Sequence, residues 1–482
     1  MARGAALGVV SQPEEVRPTE LGVTGSFPSW LSGSLVRSTP AIFEVGGVRI
    51  EHWFDGLALL NAFSFRDGSV TYASRRLQTG TSKAADAGTR IRRGFANDPC
   101  MGLFSRALSL FDPSPLTLTD NANVNVGRLG DQWVALTEAP MPIAFDPESL
   151  ETLGLVEHRD ELGYGHGTPH PHYDERGAMV SSMLHVGVRP RYHLYETGLD
   201  GTQRRELASL ATREPSYMHS FAMTEHHLVL IEQPWVIDPL EVVRSGRPLR
   251  SLVDYFTWKP QLRTRLRIFS RRTGHLIRTA VAPAMFLFHT INAFDEGDDV
   301  IVDVAAYDDP SIVQAFYLET MVREDSGFPV ARPRRLRTDL RTGEVRDTVL
   351  ADVDFELPVI DYGQRNGRPY RFAYAVGRRH DEVESFWNQI VKLDVDSGET
   401  RTWHEPGTHP SEPVFVASPD RRDEDDGVLL SVVLDHASEG SFLLALNARN
   451  LRELGRAAAP QRIPLGFHSQ HVPAAPALPA EA

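Results

Sequence analysis

The sequence predicts an all-β fold, a seven-bladed β-propeller. Three observations predict it: a hairpin signal that recurs seven times, short strands between the copies, and little helical periodicity. The hairpin signal is an apolar strand, a tight turn rich in Asp, Ser, Thr and Gly, and a second strand. It falls at 63–69, 145–151, 195–202, 268–275, 336–344, 393–399 and 446–452. The clearest copy reads Leu393-Asp-Val-Asp-Ser-Gly-Glu399. Such turn residues tolerate positive φ or bond their own backbone, so they suit hairpin tips. Further β-branched runs at 132–136, 228–232, 300–306, 428–434 and 442–446 supply more strands. Small antiparallel sheets repeated at roughly 50- to 80-residue spacing match radial repetition better than a row of separate β-sandwiches.

The 482 residues exceed a typical domain of about 150, yet propellers run long as one unit. A single domain is expected over 1–471, with a Pro- and Ala-rich disordered tail at 472–482. Hydrophobic residues are 41 % and charged residues 24 %, ordinary for a chain with a sizeable core. No stretch approaches the roughly 20 apolar residues of a membrane span, and Met1 to Val16 makes a poor signal peptide. Cys100 is the one cysteine, which excludes intrachain disulfides and cysteine metal sites. A cytoplasmic location is expected. The net charge of −14 argues against nucleic acid as a partner.

One segment breaks the β pattern. Residues 100–111 place Leu103, Phe104, Ala107, Leu108 and Phe111 at helical spacing, and Asp112-Pro-Ser-Pro115 stops the helix. Such a helix caps a core, dips into a membrane or guards an apolar entrance.

Eighteen histidines are present, and a lone histidine is weak evidence of anything. Four share a setting at the edge of a strand, among small, aromatic or apolar residues. They are His170 in Thr168-Pro-His-Pro-His-Tyr-Asp174, His219 in Tyr217-Met-His-Ser-Phe-Ala-Met223, His289 in Phe286-Leu-Phe-His-Thr-Ile-Asn292, and His468 in Ile463-Pro-Leu-Gly-Phe-His468. Inner strands of a propeller surround one axis, so histidines from different blades can converge on one metal. Imidazole suits Zn, Cu, Fe and Ni alike. In an octahedral ion four such ligands leave two positions open. Metal-bound histidines usually donate their other N–H to a carboxylate or carbonyl. Glu138, Glu356 and Glu412 are candidates because each sits in an apolar or Pro-flanked context. A helix cap or surface pair is the common alternative for such a glutamate.

These motifs together resemble the carotenoid cleavage oxygenases, a family that includes a retinoid isomerase. The resemblance runs from about Gly22 to His468. It rests on Trp30-Leu-Ser-Gly-Ser-Leu-Val-Arg37, Glu51-His-Trp-Phe-Asp-Gly-Leu57, Asp120-Asn-Ala-Asn-Val-Asn-Val126, the histidine motifs, and the segments around Glu138, Glu356 and Glu412. It implies a seven-bladed propeller, with loops and short helices capping the face that carries Fe(II) on four histidines. It implies His170 rather than His172 as ligand. It also implies that Glu138, Glu356 and Glu412 stand behind the ligands. The chain departs from the family at Arg37-Ser-Thr-Pro40, where Arg-Asn-Gly-Pro is usual, and at Ser469, where Gly is usual.

The resemblance further implies an oxygenase that cleaves a carbon–carbon double bond of an apolar polyene with O2, on a carotenoid or apocarotenoid. Phe54, Phe221, Phe288 and Phe467 are candidates to line the substrate tunnel, although each such residue is more often simply core. The helix at 99–112 takes the place of the family's membrane-docking segment, with Met101, Leu103, Phe104, Leu108 and Phe111 as contacts and peripheral membrane association as the consequence. Some bacterial relatives cleave stilbenes with a Lys close after the Asn-Val motif; here Gly127-Arg-Leu-Gly-Asp-Gln-Trp133 has none. Isomerisation on the same iron site, and a binding propeller without chemistry, are the remaining alternatives.

Overall fold

The computed structural model describes residues 4–88, 94–96, 119–185, 189–238, 251–323, 327–379 and 386–474. The expected membrane-docking contacts at 99–112 and the tail at 475–482 lie outside the described residues. Seven antiparallel sheets form the seven blades of a propeller. Each of the seven turn signals joins the third and fourth strands of one blade, counted from the axis. The turn at 66–69, for example, links Leu57–Arg66 to Ser69–Arg76, and that at 394–400 links Gln389–Asp394 to Thr400–His404.

The ring is closed twice. Blade 1 takes its innermost strand, Ser469–Val472, from the far end of the chain, paired with Gly33–Ile42. Blade 7 takes its outermost strand, Val23–Gly25, from the N-terminal region, paired with Glu453–Ala458. Val472, where the tail was expected to begin, is therefore the buried last residue of a strand opposite Ser34. Composition suggests a tail there, but the closing sheet supplies backbone partners and an apolar gap to fill.

The core is divided in the same way. Each gap between neighbouring blades holds its own apolar cluster. Leu35, Phe63 and Tyr72 of blade 1 meet Leu430 and Leu443 of blade 7, and Val126 and Ile143 of blade 2 meet Val36 and Leu60 of blade 1. An eighth cluster covers one end of the axis. It is built from the short helices Gly4–Val9, Trp53–Asp55, Ser311–Ala315 and Leu318–Met321 together with Tyr217, Phe288 and Phe467. The expected helical cap is thus present on the side where His219 meets Tyr217 and Phe288.

Candidate metal centre

Each blade contributes one residue to the centre. His468 immediately precedes the innermost strand of blade 1, and Glu138 follows strand Gln132–Leu136 of blade 2. His170 lies between the two short inner strands of blade 3, His166–Gly167 and His172–Tyr173. His219 precedes Ala222–Met223 of blade 4. His289 lies in Phe286–Glu296 of blade 5, where the pairing register shifts between Leu287 and Thr290. Such an irregularity re-aims a side chain that regular pleating would send elsewhere. Glu356 opens the inner strand of blade 6, and Glu412 lies between Thr408–Pro410 and Val414–Ala417 of blade 7.

One ring nitrogen from each of His170, His219, His289 and His468 lies within 4.8 Å of the others. The Nε2 atoms pair closely: 3.1 Å between His170 and His219, and 3.1 Å between His289 and His468. Nδ1 of His219 donates to Glu138 at 2.6 Å, that of His289 to Glu356 at 2.6 Å, and that of His468 to Glu412 at 2.7 Å. These bonds fix the proton on Nδ1 and leave Nε2 as a lone pair. No carboxylate among the described residues forms an ion pair with His170.

Three of the rings are held neutral. Burial and the neighbouring imidazoles hold His170 well below the ordinary histidine range, and burial pushes His468 down to about 3. Burial also lowers His219, against the pull of Glu138. Two bare lone pairs facing each other at 3.1 Å repel unless a cation lies between them. Two nitrogens about 2.1 Å from one ion and at right angles to it stand about 3 Å apart, so the separations fit a metal. One carboxylate agrees. Burial pushes Glu412 up to about 8, against the pull of the Ser469 amide, so this pocket is short of positive charge. A dication on the histidines supplies it.

A further set of donors holds the glutamates. The Tyr217 hydroxyl donates to Glu138, the Tyr307 hydroxyl to Glu356 at 3.2 Å, and the Ser469 amide to Glu412 at 2.7 Å. Burial and the adjacent carboxylate raise both phenols well above the ordinary tyrosine value, so they stay protonated donors. Two hydroxyls tie the ligand backbones together across blades. Thr168 accepts from the His170 amide at 3.0 Å and donates to the His219 carbonyl. Ser220 donates to the Phe288 carbonyl at 2.7 Å and accepts from the Thr290 amide at 3.1 Å, flanking His289.

His172 is engaged elsewhere. Its Nε2 lies 3.0 Å from the Phe221 carbonyl, and its Nδ1 lies 3.1 Å from the Asn366 side chain and 3.3 Å from the Tyr362 hydroxyl. Phe54, Phe288 and Phe467 form part of one aromatic wall. Phe288 is 5.3 Å from the His219 ring and 5.7 Å from Phe54, which is 5.2 Å from Phe467. Phe316 and Trp53 extend the wall. Phe221 does not join it. It lies just before strand Ala222–Met223 and is fully buried between blades 3 and 4 with Val180, Leu194 and Leu228. Tyr217 and Thr168 stand beside ligand motifs, a signal within reach of sequence reading; Tyr307, on the partner strand, carries none.

Fold and site together define a propeller with a candidate metal centre built from four histidines, three of them backed by glutamate. The profile of the retinal pigment epithelial membrane protein family matches residues 9–473, and the chain belongs to that family. It is 35 % identical to a carotenoid isomerooxygenase of Galleria mellonella, over 96 % of this chain and 95 % of that one. It is 32 % identical to the beta,beta-carotene 15,15'-dioxygenase of Mus musculus, over 96 % and 90 %. A cobalt-substituted apocarotenoid oxygenase of Synechocystis superposes with a TM-score of 0.85 at 26 % identity, covering 97 % of this chain and 98 % of that one.

Proposed function

We propose that the protein is an iron(II)-dependent dioxygenase that cleaves one carbon–carbon double bond of a carotenoid or apocarotenoid with O2 to give aldehyde or ketone products. The observation that carries this reading is the pair of facing Nε2 lone pairs, His289 and His468, set beside the aromatic wall. Family membership favours iron, since four imidazoles alone do not choose among metals. His170, His219, His289 and His468 would hold the ion, with Glu138, Glu356 and Glu412 fixing three of the rings.

When bound, iron(II) supplies the redox chemistry that lets O2 react with an alkene. The two oxygen atoms leave on the two carbons of the broken bond, so the reaction needs no outside reductant. The side chains bind and orient. Phe54, Phe288 and Phe467 offer a rigid polyene an apolar surface, keep water out, and hold one double bond near the histidines. The glutamates serve as ring acceptors, and the chemistry asks for no general base.

The relative named carotenoid isomerooxygenase favours keeping isomerisation as a second reading. Expression in carotenoid-producing bacteria, with aldehydes identified by mass spectrometry, tests cleavage. Paired aldehydes formed only with O2 support it; anaerobic change of double-bond geometry supports isomerisation instead. Unchanged polyenes with iron bound sink both. Because this substrate class partitions into lipid, the same proposal places the protein in the cytoplasm at a membrane surface, contacting it through 99–112. No helix among the described residues is long and apolar enough to cross a membrane. Liposome flotation that is unchanged after removal of 99–112 would dismiss that contact.

A further inference from the structure

Arg37 is fully buried, yet it lacks the partners a buried guanidinium ordinarily has. Nη1 donates to the Ser411 hydroxyl at 3.2 Å, while Nε and Nη2 have no hydrogen-bond partner. No carboxylate of the described residues forms an ion pair with it. Burying such a charge is costly unless something compensates it, and an arginine cannot discard its proton. Burial lowers Arg37 to about 10, still protonated at neutral pH, and Glu412 is the carboxylate whose field acts on it most.

Its position is tightly set. Arg37 pairs with Ser469, the neighbour of His468, and bonds Ser411, the neighbour of Glu412. Gly466 packs against Nη2, where a Cβ would collide with it. The guanidinium therefore bonds the residue before Glu412, and the Arg37 backbone pairs with the residue after His468.

Charge explains why it stays there. The centre gathers three glutamates behind four imidazoles, which bind a metal as neutral ligands. A dication leaves one negative charge over, and Arg37 is the buried cation at hand to match it. A trication in the same place would leave the interior one positive charge in excess. We propose that Arg37 is a positioning residue for the metal centre: through Glu412 and His468 its fixed charge balances the site for a divalent ion and disfavours the trivalent state. This rests on the iron reading above.

The test uses the full chain loaded anaerobically with Fe(II), with iron stoichiometry measured first. The ferric fraction is then followed by electron paramagnetic resonance during a redox titration. Removing one nearby positive charge in R37M should raise the ferric-to-ferrous ratio at a fixed potential about tenfold, which is about 59 mV for a one-electron couple. R37K, which keeps the charge, should stay within about threefold of the parent. The double variant R37M/E412Q, which removes one charge of each sign, should return most of the shift. Should R37M fail to fold, the same tenfold change is read between E412Q and the double variant. A fully iron-loaded R37M, or a double variant compared with E412Q, whose ratio is unchanged overturns the proposal. A parent protein that takes up no iron overturns the iron reading instead.

Discussion

Thr168 and His219 are joined across the gap between blades 3 and 4: the threonine hydroxyl donates to the histidine carbonyl while accepting the amide of His170. One oxygen thus sets the distance between two ligand backbones. Thr168→Val keeps the shape but orphans a buried carbonyl and an amide. It should cost about 1–3 kcal/mol of stability, and a metal-competition titration should show about tenfold weaker binding. Thr168→Ser should restore both. Normal metal affinity in the valine variant would mean that the clamp does not set the site.

Removing a ligand is a harsher change. His219→Ala should abolish stoichiometric iron binding and double-bond cleavage together, read by metal analysis and product assay. Full iron content with turnover would show that His219 is not a ligand.

The glutamate behind a ligand acts by degree. Glu356→Gln retains an acceptor for the His289 Nδ1–H but removes the charge, and should weaken metal binding about 10- to 100-fold. Tyr307→Phe removes only the 3.2 Å donor on Glu356 and should cost less. Equal effects in isothermal titration would contradict this order.

His172→Ala should leave metal stoichiometry intact, because both ring nitrogens are committed away from the cluster. The loss should be local, seen as faster amide exchange around Tyr362 and Asn366. Iron loss in this variant would reverse the choice between His170 and His172.

Acid should loosen blade 3 first at Asp160. Burial alone would raise this carboxyl, but the Arg204 guanidinium and the amides of Arg204 and Leu162 hold it down to about 2. A depressed carboxylate stabilises the fold above its unfolded value near 3.9 and loses that contribution as the pH falls from about 4 to 2. The contribution is about 1 kcal/mol after allowing for solvent screening. Asp160→Asn should lower the melting temperature at pH 7 and narrow the gap to the parent by pH 2.

Much of this was legible in the chain. The seven turn signals all mark hairpins between the third and fourth strands of blades, because tight turns write their chemistry locally. The ligand histidines stand out because each interrupts an apolar strand edge. The supporting groups are less legible, since their partners are remote: Arg37 meets residues beyond 410, and Tyr307 meets Glu356 from another blade. Phe221 shows the same limit from the other side. Adjacency to a ligand motif made it a candidate for the wall, and its remote partners in blades 3 and 4 place it in the core instead.

The strand that closes blade 1 also orders events during synthesis. A growing chain that has not yet reached His468 carries at most three of the four imidazoles on an unclosed ring. A metal held by all four would therefore load only after residue 468 is made. Such an ion would clasp the closing strand to blades made long before, so a chain stopped short of residue 468 would lose the clasp as well as the ligand.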